Sequence, residues 1–178
     1  MLKNSEQAYG LVSKTLHWLV ALTVFGLFTV GLWMVELGYY DSWYQLAPHY
    51  HKSVGALLAL VLLFRVLWRY VNPKVQPLSS HKVLEQKAAH LVHIALYLLM
   101  FMIFVSGYLI STADGRSIQV FNWFEIPALG SFIENQEDVA GDIHRYLAYS
   151  LISLIALHVL GALKHHFIDK DSTLKRML

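Results

Sequence analysis

The sequence contains no cysteine among its 178 residues. This absence excludes disulfide bonds, iron–sulfur clusters held by thiolates, and haem attached covalently through a C-x-x-C-H motif. Charge is also scarce, because Asp, Glu, Lys and Arg together make up only 15% of the residues. Any metal or redox centre in this protein therefore has to rely on side chains other than thiolates.

Apolar residues, in contrast, are abundant: 56% of the chain is hydrophobic and the mean hydropathy is +0.46. This is too apolar for a soluble domain of this length and predicts a membrane protein with several spans. We expect one membrane domain over residues 1–178, and apolar runs of spanning length predict helices at about 11–37, 49–71, 88–112 and 141–167.

The placement of Lys and Arg predicts how the chain is oriented. Nearly all bases lie in the N-terminal segment, in the connection between helices 2 and 3, and in the C-terminal tail. The positive-inside rule then places both termini in the cytoplasm. We expect an all-α integral membrane protein, an up-down-up-down bundle of four transmembrane helices. The long connection at 113–140 is expected to lie along the membrane surface or to cap the bundle.

Histidines within the apolar segments are the main functional signal. His144 and His158 lie on helix 4, fourteen residues apart. This spacing puts the two imidazoles on one helix face, about 40° apart and roughly 21 Å apart along the axis. A lone imidazole in hydrocarbon costs free energy, so intramembrane histidines usually have a partner and a function. We interpret each as an axial ligand of a haem iron.

The topology suggests the second ligand of each iron. His17 on helix 1 and His158 are expected at one depth near the cytoplasm, and His51 on helix 2 and His144 near the outer face. We therefore predict the pairs His17–His158 and His51–His144, which would hold two non-covalent b haems. Two axial imidazoles leave no open position on the iron, which favours electron transfer over oxygen chemistry. Gly55, one turn from His51, is a candidate for making room for the macrocycle.

Other polar residues accompany these histidines. Lys52 and Arg145 directly follow outer histidines, where they would offset the haem propionates or attract an anionic substrate. His90, His93 and Arg69 are expected on the cytoplasmic half, where they could bind a quinone and supply its protons. The remaining histidines are interpreted as residues of the membrane interface or of loop edges; they are His49, His81, His165 and His166.

Several motifs carry a family resemblance. They are LHW at 16–18, HKSVG at 51–55, AHLVHIALYLL at 89–99 and the closing DKDSTLKRM at 169–177. Together with the helix 4 histidines, they resemble the bacterial cytochromes b561, the group that includes the di-haem b subunits of nickel hydrogenases. The resemblance covers essentially the whole chain. It implies two b haems on the same four histidines, electron transfer with a membrane quinone such as ubiquinone, and location in the bacterial inner membrane.

The function that these observations favour is a di-haem b cytochrome that transfers electrons between the periplasmic side and the quinone pool. One alternative is a superoxide:ubiquinone oxidoreductase, an activity known in this family, although the long acidic connection at 113–140 weighs against superoxide as the donor. Others are a haem-bearing anchor subunit for a separate redox enzyme, and a haem-free transporter with histidine proton relays. The expected partners are membrane lipid, a quinone and a periplasmic redox or other soluble partner, but no nucleic acid.

Overall fold

The structure, a computed structural model, describes residues 1–78 and 80–178. Within these residues it contains four long helices and two short strands. They are α1 (Leu11–Met34), α2 (Leu46–Val71), α3 (Val83–Ser111), β1 (Ile118–Val120), β2 (Phe124–Ile126) and α4 (Gln136–Phe167). All four helices are long and apolar enough to cross a membrane. The predicted multi-pass membrane fold of four helices is therefore confirmed.

Three helices begin earlier than the apolar runs suggested. α3 begins at Val83 and α4 at Gln136, each five residues before the predicted start, and α2 begins at Leu46. The first turn of α3 is stabilised by the Glu85 carboxylate, which accepts a hydrogen bond of 3.0 Å from the backbone N–H of Lys82. Hydropathy marks the part of a helix that lies in lipid, whereas first turns with polar residues extend α3 and α4 beyond it.

The connection between α3 and α4 contains an antiparallel hairpin that the sequence did not reveal. Its two strands pair with Ile118 opposite Ile126. The hairpin is fixed to α2 by the Ser53 hydroxyl, which accepts a hydrogen bond of 3.0 Å from the backbone N–H of Phe121. Val120 is completely buried. This part of the connection therefore packs on the beginning of α2 and caps the bundle there.

Each helix carries three bundle-facing residues at a spacing of seven. They are His17, Val24 and Gly31 on α1, His51, Leu58 and Arg65 on α2, His93, Met100 and Gly107 on α3, and His144, Leu151 and His158 on α4. Seven residues correspond to two helical turns, the repeat of left-handed helix packing. The four middle residues belong to one buried apolar cluster. The bundle thus has an apolar middle layer with a histidine-containing layer on each side.

The two ends of the bundle are built differently. We call the end with the α1–α2 and α3–α4 connections the loop end, and the end with both termini and the α2–α3 connection the terminal end. The C-terminal tail is held across the terminal end by hydrogen bonds. The Trp18 indole donates to the carbonyl of Met177 at 2.8 Å, and the Arg176 guanidinium donates to the carbonyl of Gln76 at 2.8 Å. The tail therefore joins helix α1 to the α2–α3 connection.

Stability should depend on the apolar middle layer. Leu58 is 4% exposed, whereas Leu60, half a turn away on the same helix, is 56% exposed. We expect Leu58→Ala to lower the free energy of unfolding by roughly 2 kcal/mol, because the cavity left in a packed core costs contacts. Leu60→Ala should have a much smaller effect, since lipid fills the space. Thermal unfolding in detergent measures both, and equal losses would contradict the layer assignment.

Candidate functional site

The structure brings four of the predicted histidines together as two facing pairs. The ring centroids of His17 and His158 are 6.3 Å apart, and those of His51 and His144 are 6.4 Å apart. The first pair lies near the terminal end and the second near the loop end, so we call them the terminal pair and the loop pair. Each pair combines one residue of α4 with one residue of α1 or α2.

The ring spacing suits a metal ion between the two imidazoles. Metal–imidazole bonds are about 2.0 Å long and a ring nitrogen lies about 1.1 Å from the ring centre, so two rings on opposite sides of one ion have centroids about 6.2 Å apart. The two observed spacings are close to this value. Two imidazoles with this spacing could supply both protein ligands of a haem iron. The donor sets of both pairs therefore fit b-type haem.

Space for a large planar cofactor is present at the loop pair. A cavity of about 1340 Å³ is lined by His51, His144 and Gly55, among other residues. No atom lies within 4 Å of the position that a Cβ on Gly55 would take, so this glycine faces open space. The volume exceeds that of most small-molecule pockets.

Two further glycines give the loop-pair imidazoles the room to face each other. A Cβ on Gly31 would lie 3.4 Å from Cε1 of His51, and one on Gly107 would lie 3.3 Å from Cε1 of His144. Neither glycine stood out from the sequence as part of a site. The signal that could have identified them is their place in the seven-residue spacing, opposite a histidine in the same layer.

Ser106 orients the His144 ring. Its hydroxyl is 3.0 Å from Nδ1 of His144 and donates its own proton to the carbonyl of Ile103 at 3.0 Å. The hydroxyl oxygen can therefore accept a hydrogen bond from the Nδ1–H group, which leaves Nε2 with a free lone pair, the state that ligates a metal. Ser106 is only 4% exposed, so this contact is shielded. Nothing in the sequence indicated this role of Ser106.

Arg65 lies beside the terminal pair and was also missed. Its Nη2 atom is 2.9 Å from Nδ1 of His17. A guanidinium can only donate, so Nδ1 of His17 is the acceptor in this contact. Ligation of a metal through Nε2 would place the proton on Nδ1, and Arg65 would then need another acceptor. A haem held by the terminal pair would carry propionates that could be such an acceptor, so the charge of Arg65 suits the cofactor.

The residues predicted to bind quinone are only partly brought together. The His93 ring lies 5.2 Å from the His158 ring, next to the terminal pair. The guanidinium of Arg69 lies 6.0 Å from the centre of the Tyr97 ring, and Arg69 itself is exposed. His90 is exposed on the outside of α3, away from the bundle interior.

Charged residues surround the mouth of the cavity at the loop end. The cations that line it are Lys52 and Arg145, which follow His51 and His144 in the sequence, and Arg116. Arg145 forms an ion pair of 2.9 Å with Asp142. The Arg116 side chain, hydrogen-bonded to Asp114, holds the pKa of that carboxyl below its usual range. The five carboxylates that line the cavity outnumber the three cations; they are Glu36, Asp114, Glu137, Asp138 and Asp142.

Comparisons with known proteins agree with the resemblance seen in the sequence. A family model described as prokaryotic cytochrome b561 matches residues 8–178. Cytochrome b561 homolog 2 of Escherichia coli K12 is 53% identical over 175 residues, which cover 98% of this chain and 93% of that protein. The probable superoxide oxidase CybB of Yersinia pestis is 29% identical, with 97% of each chain covered. Cytochrome b561 homolog 1 of E. coli K12 is also 29% identical, with 93% of this chain and 96% of that protein covered.

Proposed function

This chain belongs to the prokaryotic cytochrome b561 family of membrane electron-transfer proteins, and we propose that it is a di-haem b cytochrome that passes electrons between the periplasm and the quinone pool of the bacterial inner membrane. The observation that carries this proposal is the presence of two facing imidazole pairs at 6.3 and 6.4 Å, in layers fourteen residues apart. Membership of the family supports the binding of b-type haem, and the presence of two histidine pairs supports the binding of two haems.

The residues proposed to hold the cofactors follow from the site. His51 and His144 would ligate the haem at the loop end, with Lys52 and Arg145 near its propionates. His17 and His158 would ligate the haem at the terminal end, with Arg65 as the cation. Haem with two axial imidazoles supplies reversible one-electron transfer without an open coordination position. The protein residues fix the rings, separate the two centres with the apolar middle layer and exclude water from them.

The proposed orientation places the terminal end in the cytoplasm, since this end carries most of the Lys and Arg. A quinone would then be reduced near the terminal pair, where it takes up two electrons and two protons to become a quinol. His93 is the proposed contact to the quinone, because its ring lies 5.2 Å from the His158 ring, next to the terminal pair. Arg69 and His90, both exposed, would contribute at the entrance from the lipid.

A superoxide:ubiquinone oxidoreductase is a second candidate, favoured by the similarity to the probable superoxide oxidase of Y. pestis. In that reaction each superoxide gives up one electron and becomes O2, and two such electrons with two protons reduce one quinone. The acidic excess at the mouth of the loop-end cavity opposes the approach of an anion. Haem reduction by superoxide supplied at the loop end would favour this candidate, and reduction only by a soluble donor protein would exclude it.

Single ligand substitutions should affect the two haems separately. We expect two haems per chain in the unchanged protein, loss of only the loop-end haem in His51→Ala, and loss of only the terminal-end haem in His17→Ala. The reason is that each substitution removes one axial ligand of one pair and leaves the other pair intact. A pyridine haemochrome assay counts the haems, and reduction kinetics from each side of proteoliposomes identify which haem is lost.

The same experiment has two outcomes that would refute the pairing. One is depletion of the same haem by both substitutions. The other is full electron transfer across the membrane in either variant, because one remaining centre lies too far from the opposite face. His90→Ala is the matched control, since His90 is an exposed histidine outside both pairs, and it should retain both haems.

The glycine opposite His51 should be as necessary for haem binding as the ligand. Gly31→Val places methyl groups where the His51 ring lies, because even a Cβ would approach its Cε1 to 3.4 Å. We expect loss of the loop-end haem and retention of the other. Gly26→Val on the same helix is the control, because a Cβ there meets no atom within 4 Å. Equal haem content in the two variants, measured from the absorption spectrum, would show that Gly31 has no such role.

Removal of the His93 side chain should slow quinone reduction. We expect His93→Ala to retain both haems and to reduce quinone about a hundredfold more slowly, the lower end of the usual contribution of a general acid. Steady-state quinone reduction in proteoliposomes gives the rate, and the haem count of the same preparation shows whether the His158 site is intact. An unchanged rate with both haems present would place the quinone site elsewhere.

A further inference from the structure

Three potential metal ligands meet at the terminal end, apart from the two histidine pairs. Nε2 of His81 lies 2.9 Å from Oδ2 of Asp171, and Nδ1 of His165 lies 3.1 Å from the same oxygen. The three residues come from the α2–α3 connection, the last turn of α4 and the C-terminal tail. Their side chains are 16%, 15% and 9% exposed, so they are shielded but still reached by solvent.

The ligand set and its dimensions suit a divalent transition metal. Two imidazole nitrogens and one carboxylate oxygen bind Zn²⁺ and similar ions, with a water completing a tetrahedral site. Bonds of about 2.0–2.1 Å at tetrahedral angles place neighbouring ligand atoms about 3.4 Å apart. The ligand atoms of His81, His165 and Asp171 all lie within 4.8 Å of one another. Metal binding would lengthen the two nitrogen–oxygen separations from 2.9 and 3.1 Å to about 3.4 Å, and would change the separation of the two imidazole nitrogens by at most about 1.4 Å.

The hydrogen bonds of Asp171 keep its carboxylate ionised and oriented for metal binding. Burial favours its neutral form, but hydrogen bonds from the Thr173 hydroxyl, the Thr173 backbone N–H and His81, with the charge of His165, hold the pKa of Asp171 below its usual range. The Thr173 backbone N–H donates to Oδ1 at 2.8 Å, which leaves Oδ2 facing the two imidazoles. The carboxylate is thus ionised at neutral pH, and its Oδ2 atom is oriented toward the two imidazoles.

An adjacent cluster shows why this set, and not its neighbour, is the candidate. Glu85, His165 and Asp169 also bring three ligand atoms together. There, however, the Lys164 ammonium lies 2.7 Å from the Glu85 carboxylate and 2.6 Å from that of Asp169. A protein cation already neutralises those carboxylates. Within the described part of the chain, no Lys or Arg forms an ion pair with Asp171.

We propose that His81, His165 and Asp171 form a binding site for one divalent transition-metal ion. The experiment below tests this site with Zn²⁺. The ion would join the tail to the α2–α3 connection and to the end of α4. The tail already contacts helix α1 through Trp18 and Met177. A bound ion therefore clamps the tail across the terminal end, on the side of the terminal pair.

The test uses the full-length, haem-loaded protein in detergent. Equilibrium dialysis against Zn²⁺, followed by elemental analysis per chain, should give one Zn²⁺ in the unchanged protein. Binding should be at least tenfold weaker in His81→Gln and Asp171→Asn, each of which removes one ligand group. His166→Gln is the matched control, because His166 is adjacent in sequence but outside the cluster, and it should bind as the unchanged protein does.

Two additional readouts do not depend on the variants being well folded. The zinc-edge X-ray absorption of the unchanged protein should show two imidazole ligands, and Zn²⁺ should slow trypsin cleavage after Lys175, an exposed residue of the tail. The proposal is overturned if the unchanged protein binds no stoichiometric Zn²⁺, if its absorption shows no imidazole, or if His81→Gln and Asp171→Asn bind as tightly as His166→Gln. The haem count of each sample is independent of these outcomes and tests the proposed function separately.

Discussion

The facing of two imidazoles inside an apolar bundle is the constraint on which the rest of the structure depends. A single imidazole in hydrocarbon is costly, whereas two rings about 6.3 Å apart can share one metal ion, which would satisfy one nitrogen of each ring. Meeting this constraint twice explains why α4 carries histidines fourteen residues apart. It also explains why glycines, and not larger residues, stand on α1 and α3 in the layer of the loop pair.

The packing of the helices follows from the same constraint. α1 packs closely on α2 and α3 on α4, whereas contact between these two helix pairs is sparser. Each histidine pair spans the space between the helix pairs, and the middle residues Val24, Leu58, Met100 and Leu151 close that space between the layers. A cofactor between the imidazoles would supply the packing that the helices themselves do not, so the stability of the bundle is linked to cofactor binding.

The sequence was sufficient to predict the histidine pairs, because they depend on helix length and on depth in the membrane. It was insufficient to predict individual side-chain contacts, because these depend on how each helix is rotated about its axis. Four spans and a rise of about 1.5 Å per residue fix which histidines share a depth, and the predicted pairs do lie together. The contacts of Ser106 with His144 and of Arg65 with His17 depend on how each helix is rotated, which a single sequence states only weakly. The contact between His81 and Asp171 joins residues 90 positions apart and follows no helical period.

The charges at the two ends differ in a way that bears on the direction of electron flow. Arg65 contacts the terminal pair from within the bundle, and Arg69 lies one turn further along the same helix. Carboxylates, in contrast, predominate around the cavity of the loop pair. A nearby cation stabilises the reduced form of a redox centre and a nearby anion stabilises the oxidised form, most strongly where water is excluded. The fixed charges therefore support the proposed direction of electron movement, in which a donor at the loop end would reduce a quinone bound near the terminal end.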